Sequence, residues 1–358
     1  MKHNIEQILK EKAPLIDKAI EKYIPRKFDK DKMVFVCGKP RYEYTVEAAT
    51  KMVSEPIWDL LDRGGKRWRP TLFLLIVEAL KGDANKVFDF VAIPEVVHNG
   101  TLIIDDIEDR SEERRGKPCT YKIFGLDVAV NAGNAAYYLP LLPLIKRRKE
   151  FGDKAIADVY EVYIQEMINI SFGQGTDIAW HNALCNANNI SENEYLQMTA
   201  YKTGTLARMS AKIAAILSGA SKEQVEAIGK LAETIGVAFQ IQDDILNLIG
   251  EEFVARKGGA GEDITEGKRT LMVIHTLREC NPNDAKRLIE ILDMHTLDQK
   301  LRDEAIAIMK KHGAMDYGKE FARKILKEAW KEVDETFPLS EAKEKIKAFA
   351  DYLVERDI

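Results

Sequence analysis

The chain has 358 residues, 46% of them hydrophobic and 31% charged, with a formal net charge of −5. That balance suits a folded globular protein and excludes a disordered one, and without a basic excess it offers no footprint for nucleic acid. Cys37, Cys119, Cys185 and Cys280 are scattered with no Cys-x-x-Cys pair, and His181 near Cys185 lacks the further ligands of a zinc site, so reduced thiols and a cytoplasmic location are expected.

Residues Ile5 to Tyr23 carry apolar side chains at helical spacing, and no signal-peptide pattern precedes them. The longest uninterrupted apolar window, Ala135 to Ile145, contains Pro140 and Pro143 and is too short to span a bilayer; no transmembrane segment is expected. Pro25 to Tyr44 reads as irregular, with Met33–Cys37 as a short extended piece. Helical texture resumes at Thr45 and breaks at Gly64-Gly65. From Pro70 to about Ile249 helix follows helix, with breaks at Gly82-Asp83, Gly116–Pro118, Gly152-Asp153 and Ser218–Ser221. Gly258–Gly261 is a glycine-rich loop, and helical patterns return through Thr265–Cys280, Asn283–Met294, Leu297–His312, Tyr317–Phe337 and Ser340–Arg356. Strand alternation and internal repeats are lacking. The expected class is all-α, a single large bundle over residues 1–358, with a helix and irregular extension at 1–48.

The chemistry concentrates at Leu102–Pro118. An apolar run leads into Asp105, Asp106 and Asp109, and the four-residue spacing sets Asp105 and Asp109 on one helix face. Stacked carboxylates repel, and a hard divalent cation turns that repulsion into chelation; Mg²⁺ fits, taking one or two carboxylates and completing its shell with water and phosphate oxygens. Arg114-Arg115 follow, suited to bidentate phosphate recognition. Asp-Asp-x-x-Asp alone is a weak pattern. A second acidic stretch, Phe239–Asn247 with Asp243 and Asp244, strengthens it.

Cations surround these clusters in the sequence. Gly64–Pro70 packs Lys66, Arg67 and Arg69 at a helix entry, a candidate anion site. His98 lies two helical turns before Asp105. Lys202-Thr203-Gly204 interrupts an apolar helix, which suggests a kink or close approach, and Lys202 offers a point charge to phosphate. Asp263 and Lys268 add a carboxylate and a cation beyond the glycine loop. Together these suit a reaction in which diphosphate leaves and a carbocation develops in a dry cavity, with no side-chain nucleophile required.

With these residues in view, the chain resembles the trans-isoprenyl diphosphate synthases. The matching blocks are Gly64–Pro70, His98–Pro118, Gly173-Gln174-Gly175, Lys202–Gly204, Phe239–Asn247 and Asp263–Lys268, and the acidic and Gly-Gln-Gly blocks look most like geranylgeranyl diphosphate synthases. The resemblance implies an all-α homodimer that condenses isopentenyl diphosphate with an allylic diphosphate (dimethylallyl, geranyl or farnesyl) using about three Mg²⁺ ions. It assigns Asp105 and Asp109 to Mg²⁺, with Asp106 supporting, and Asp243 to a third ion helped by Asp244 and Asp263. Arg114, Lys202 and Lys268 would grip the allylic diphosphate. Lys66, Arg69, His98 and Arg115 would hold isopentenyl diphosphate, and Gln240 and Thr203 would lie beside the allylic cation. Two positions depart from the family pattern. Asn247 stands where many members have Asp, and a loop lysine is displaced, with Lys257 the nearest candidate.

Product length should depend on what closes the tunnel beneath Asp105. Gly100 and Thr101 are expected to leave it open, Tyr137 and Tyr138 to form its floor, and Ser171 to leave room, which favours a C20 product over C25. A terpene cyclase would need no Lys66/Arg69/His98 site, and a non-catalytic subunit would not need both acidic clusters.

Overall fold

The structure is a computed structural model that describes residues 4–249 and 260–355. Lys257, Gly258, Gly259 and Arg356 lie outside the described residues. Helices dominate, as expected for an all-α chain. The chain divides into two compact units: Met1–Glu161 with Ser210–Ser221 and Leu339–Lys345, and Val162–Met209 with Lys222–Pro338 and Ile346–Ile358.

In the first unit the Ile5–Tyr23 helix forms as expected, its first turn closed by the Asn4 side chain accepting from the Gln7 amide at 3.0 Å. Residues 30–37 are a helix, not the irregular segment with an extended piece that composition suggested. Asp29 explains the difference: its carboxylate accepts from the Lys32 amide at 2.8 Å, an N-cap that outweighs the β-branched content of Val34 and Val36. The Gly116 break is a two-strand hairpin, Glu113–Arg114 against Lys117–Pro118. Arg115 and Gly116 turn it with φ of +53° and +73°, the left-handed pair that a tight hairpin demands.

The Ala92–Glu108 helix carries the first acidic cluster and crosses the Leu126–Tyr138 helix at two glycines. A Cβ on Gly100 would lie 2.8 Å from Ala136 Cβ and 3.0 Å from Gly133 O; one on Gly133 would lie 2.7 Å from Ile104 Cδ1. Leu60, Ile103 and Ala129 form a core beside this crossing, with Leu102, Ile107 and Tyr121 packed against it.

By length and composition two stretches among the described residues, Ala84–Glu108 and Leu126–Lys146, could cross a bilayer, although the sequence pattern suggests none. That expectation requires an unbroken apolar run, whereas these stretches tolerate scattered Gly, Asn and Thr. The first is mainly a core element, 67% of its apolar window being buried in the fold, against 44% for the second.

In the second unit a π-helical turn, Ala200–Gly204, lies between residues 162–181 of the Asp153–His181 helix and the Lys222–Ile249 helix. A Cβ on Gly173 would lie 2.4 Å from the Lys202 backbone nitrogen, and one on Gly236 would lie 2.7 Å from Gly204 Cα. The turn is pressed on both sides by helices that can approach only because glycine stands at the contacts. The Lys222–Ile249 helix also packs on Ala314–Val333, where a Gly318 Cβ would meet Ile245 Cδ1 at 3.1 Å.

These contacts set an expectation for stability. Gly100→Ala forces a methyl group into backbone and Ala136, and should cost about 1–3 kcal/mol. Gly175→Ala meets nothing within 4 Å and should be neutral or slightly stabilising. Thermal unfolding of the two variants beside wild type checks the difference.

Candidate active site

Asp105 and Asp109 sit in and just after the last turn of the Ala92–Glu108 helix, where the Asp109 amide donates to the Asp105 carbonyl at 2.8 Å. The negative end of the helix dipole lies there, so the turn favours a cation on two counts. Asp106, one position away, points inward and is fully buried. Arg114 Nε donates to Asp106 Oδ1 at 2.7 Å, and Arg114 stands 3.7 Å from Asp105 Oδ2. Burial pushes the Asp106 carboxyl up while the Arg114 guanidinium opposes it. Asp106 therefore fixes Arg114 to the acidic turn.

The basic block separates into two kinds of arginine. Arg67, with φ of +50°, is 3% exposed and fully engaged: Nε to Asp17 at 2.9 Å, one terminal nitrogen to Glu95 at 3.0 Å, the other to the Leu61 carbonyl at 2.8 Å. Arg69, also buried, has a guanidinium over the Trp68 ring at 4.4 Å and an Nε without a hydrogen-bond partner among the described residues, while Ser210 Oγ holds its backbone carbonyl at 2.9 Å. Arg115 donates to the Leu60 carbonyl at 3.0 Å and Asn99 Oδ1 at 3.3 Å. Burial pulls both Arg69 and Arg115 down to about 10; Glu95 partly offsets this and neighbouring arginines add to it. His98 is held well below its ordinary value by burial and then by Arg69, Arg115, Arg114 and Arg67, so it is neutral at pH 7. Such a cluster, short of counter-charge, is built for an anion. Lys66 is partly exposed on the same loop.

In the second unit, Lys202 projects from the π-helical turn and pairs with Asp177 Oδ2 at 2.5 Å. Burial would raise the Asp177 carboxyl, but Lys202 and Lys268 outweigh it and hold it low. Thr203 Oγ1 donates to Gln240 Oε1 at 3.0 Å, and Gln240 Nε2 donates to Asp244 Oδ1 at 2.7 Å. Asp244 is buried, and burial followed by the Asp263 charge pushes its carboxyl up, against the hydrogen bonds it accepts from Gln240 and Tyr195. Asp243, one residue earlier, is only partly buried. Lys268 Nζ lies 3.2 Å from Asp263 Oδ1 and also pairs with Glu266. Asn247 ties Asp263 to the second acidic helix, since its Oδ1 accepts from the Asp263 amide at 3.1 Å and its carbonyl accepts from Gly261 at 2.9 Å.

Several expectations need correction. Gly100 leaves no open space, because the neighbouring helix fills it. Thr101 turns its hydroxyl to the His98 carbonyl at 2.8 Å. Tyr137 lies beside Gly100, with Cε1 3.2 Å from where a Cβ would be, but Tyr138 is 70% exposed. A helix turns about 100° per residue, so Tyr138 falls on the outer face with Leu126 and Val130 and cannot floor an internal tunnel. Ser171 is exposed and donates to the Met167 carbonyl at 2.9 Å. Asp244, assigned by resemblance to help a metal, accepts from Gln240 at one oxygen and from Tyr195 at the other.

Sequence reasoning overlooked Asp177, Tyr195 and Glu95. Asp177 had a signal, a carboxylate four residues after Gly173 and two after the Gly-Gln-Gly block; Tyr195 and Glu95 had none. Among the described residues no three His, Cys, Asp or Glu side chains converge into a ready-made metal cage. The donors at Asp105, Asp109 and Asp243 are hard carboxylate oxygens, so any ion here would complete its shell with substrate oxygens and water, as Mg²⁺ does.

The polyprenyl synthetase family matches residues 50–309. A short chain isoprenyl diphosphate synthase of Methanothermobacter thermautotrophicus is 34% identical over 299 residues, 83% of this chain and 88% of that protein. A geranylgeranyl pyrophosphate synthase of Dictyostelium discoideum is 30% identical over 280 residues, 78% of this chain and 87% of the other. The crystal structure of geranylgeranyl pyrophosphate synthetase from Pyrococcus horikoshii aligns with a TM-score of 0.81 at 31% identity, covering 98% of both chains. The chain belongs to the polyprenyl synthetase family and is a trans-prenyltransferase.

Proposed function

We propose that this enzyme joins isopentenyl diphosphate to an allylic diphosphate and delivers geranylgeranyl diphosphate. The observation that carries the reading is an acidic helix end and a cluster of under-neutralised arginines within one unit. Both are charge arrangements that a metal-bound diphosphate would relieve. Arg69 and Arg115, with Lys66 and neutral His98, hold isopentenyl diphosphate. Arg114, Lys202 and Lys268 serve the allylic diphosphate, while Thr203 and Gln240 present oxygen dipoles to the developing cation. Asp105, Asp109 and Asp243 would hold about three Mg²⁺ ions, which when bound neutralise the departing diphosphate.

We read residues 1–358 as one domain, since the family match at 50–309 draws on both compact units. A homodimer is supported by the outer face of the Leu126–Tyr138 helix, where Leu126, Val130 and Tyr138 are exposed in one row beside Ile123 and Met52. A cytoplasmic location fits the reduced cysteines.

The direct test supplies labelled isopentenyl diphosphate with dimethylallyl, geranyl or farnesyl diphosphate, with Mg²⁺ or with EDTA. A C20 product that disappears with EDTA is expected. Cyclised product from an allylic substrate alone, or no turnover, would overturn the reading. Arg69→Gln should raise KM for isopentenyl diphosphate about tenfold or more, with kcat far less affected, in steady-state assays. Tyr137→Ala, which opens space beside Gly100, should lengthen the product; an unchanged product chromatogram rejects Tyr137 as a length determinant.

A further inference from the structure

Three hydrogen bonds in series cross the second unit. Tyr195, on the Glu192–Thr199 helix, is 1% exposed and donates its hydroxyl to Asp244 Oδ2 at 3.0 Å. The other oxygen, Oδ1, accepts from Gln240 Nε2 at 2.7 Å, and Gln240 Oε1 accepts from Thr203 Oγ1 at 3.0 Å. With Asp244 Oδ1 accepting and Thr203 Oγ1 donating, the Gln240 amide turns its NH₂ toward Asp244 and its oxygen toward Thr203. The reverse orientation would set the amide oxygen against Asp244 Oδ1 and forfeit the Gln240–Asp244 hydrogen bond.

Tyr195 completes this logic from a place that does not face substrate. By donating to Oδ2 it fixes the plane of the carboxylate and leaves Oδ1 aimed at the amide. The amide oxygen then reaches the π-helical turn, which Gly173 and Gly236 hold by backbone contact. We propose that Tyr195 is a positioning residue for the ionisation step, setting through Asp244 which end of the Gln240 amide meets Thr203 and the developing cation. This rests on the proposed reading that Gln240 and Thr203 border that cation. A preorganised oxygen dipole stabilises positive charge only if its direction is fixed before the reaction begins.

The test is a mutant cycle on the full-length enzyme, with wild type measured in the same Mg²⁺-dependent assay. Tyr195→Phe should lower kcat about tenfold, the scale of one hydrogen bond to a charged group, with KM for isopentenyl diphosphate unchanged. In a Gln240→Leu background, where no amide remains to be oriented, Tyr195→Phe should have no further effect on kcat. A second route to the same relay, Asp244→Asn, supplies a donor that permits the reversed amide and should lower kcat without adding to Tyr195→Phe. Unchanged kcat in Tyr195→Phe, or a full additional loss in the Gln240→Leu background, overturns the proposal while leaving the enzyme's assignment intact. A rise in KM for isopentenyl diphosphate matching the loss of kcat, with a lowered melting temperature, shows a merely structural tyrosine and also overturns it. Failure of wild type to turn over any allylic starter overturns both.

Discussion

Backbone contact at glycine is the constraint on which the second half of the chemistry depends. Residues Ala200–Gly204 adopt a π-helical turn that sits against Gly173 on one helix and Gly236 on another. A π-turn widens a helix by one residue and is costly in isolation. Here packing over-determines it, and the extra residue re-aims Lys202 and Thr203 away from the ordinary helical register. The ion pairs of Arg208 with Glu166 and Glu233, and the Thr205 hydroxyl bonded to Glu166 at 2.5 Å, tie the next turn to the same two helices.

The first unit solves a different problem, that of holding many arginines together in little water. Arg67 is neutralised outright by Asp17 and Glu95, and in return it anchors the loop at Leu61. Arg114 is neutralised by Asp106. Arg69 and Arg115 have chiefly aromatic, amide and carbonyl neighbours, so their charge stays available to a ligand. Adjacent residues of the same type thus take opposite roles. The division is visible as electrostatics: two guanidinium groups fall to about 10, whereas burial of the other two is outweighed by carboxylates.

Much of this was legible in the chain. Helical periodicity placed nearly every long helix, and the acidic and basic blocks named the chemistry because residue type and spacing are what a metal-bound diphosphate recognises. The short Lys30–Cys37 helix was hidden because a single cap residue, Asp29, decided it against local propensity. Gly100 was legible as small but not as occupied: smallness in sequence is compatible with a space or with a neighbour, and only the crossing at Gly133 distinguishes them.

The sequence by itself determined the all-α class, the inventory of acids and bases, and the kinship that those blocks imply. These follow from short-range rules, the 3.6-residue period and the chemistry of individual side chains. Tertiary structure alone decided which of Tyr137 and Tyr138 faces inward, which arginines are already neutralised, and that Tyr195 reaches Asp244 from 49 residues away. Those outcomes turn on about 100° of helix rotation and on contacts between distant segments, neither of which any local pattern of residues encodes.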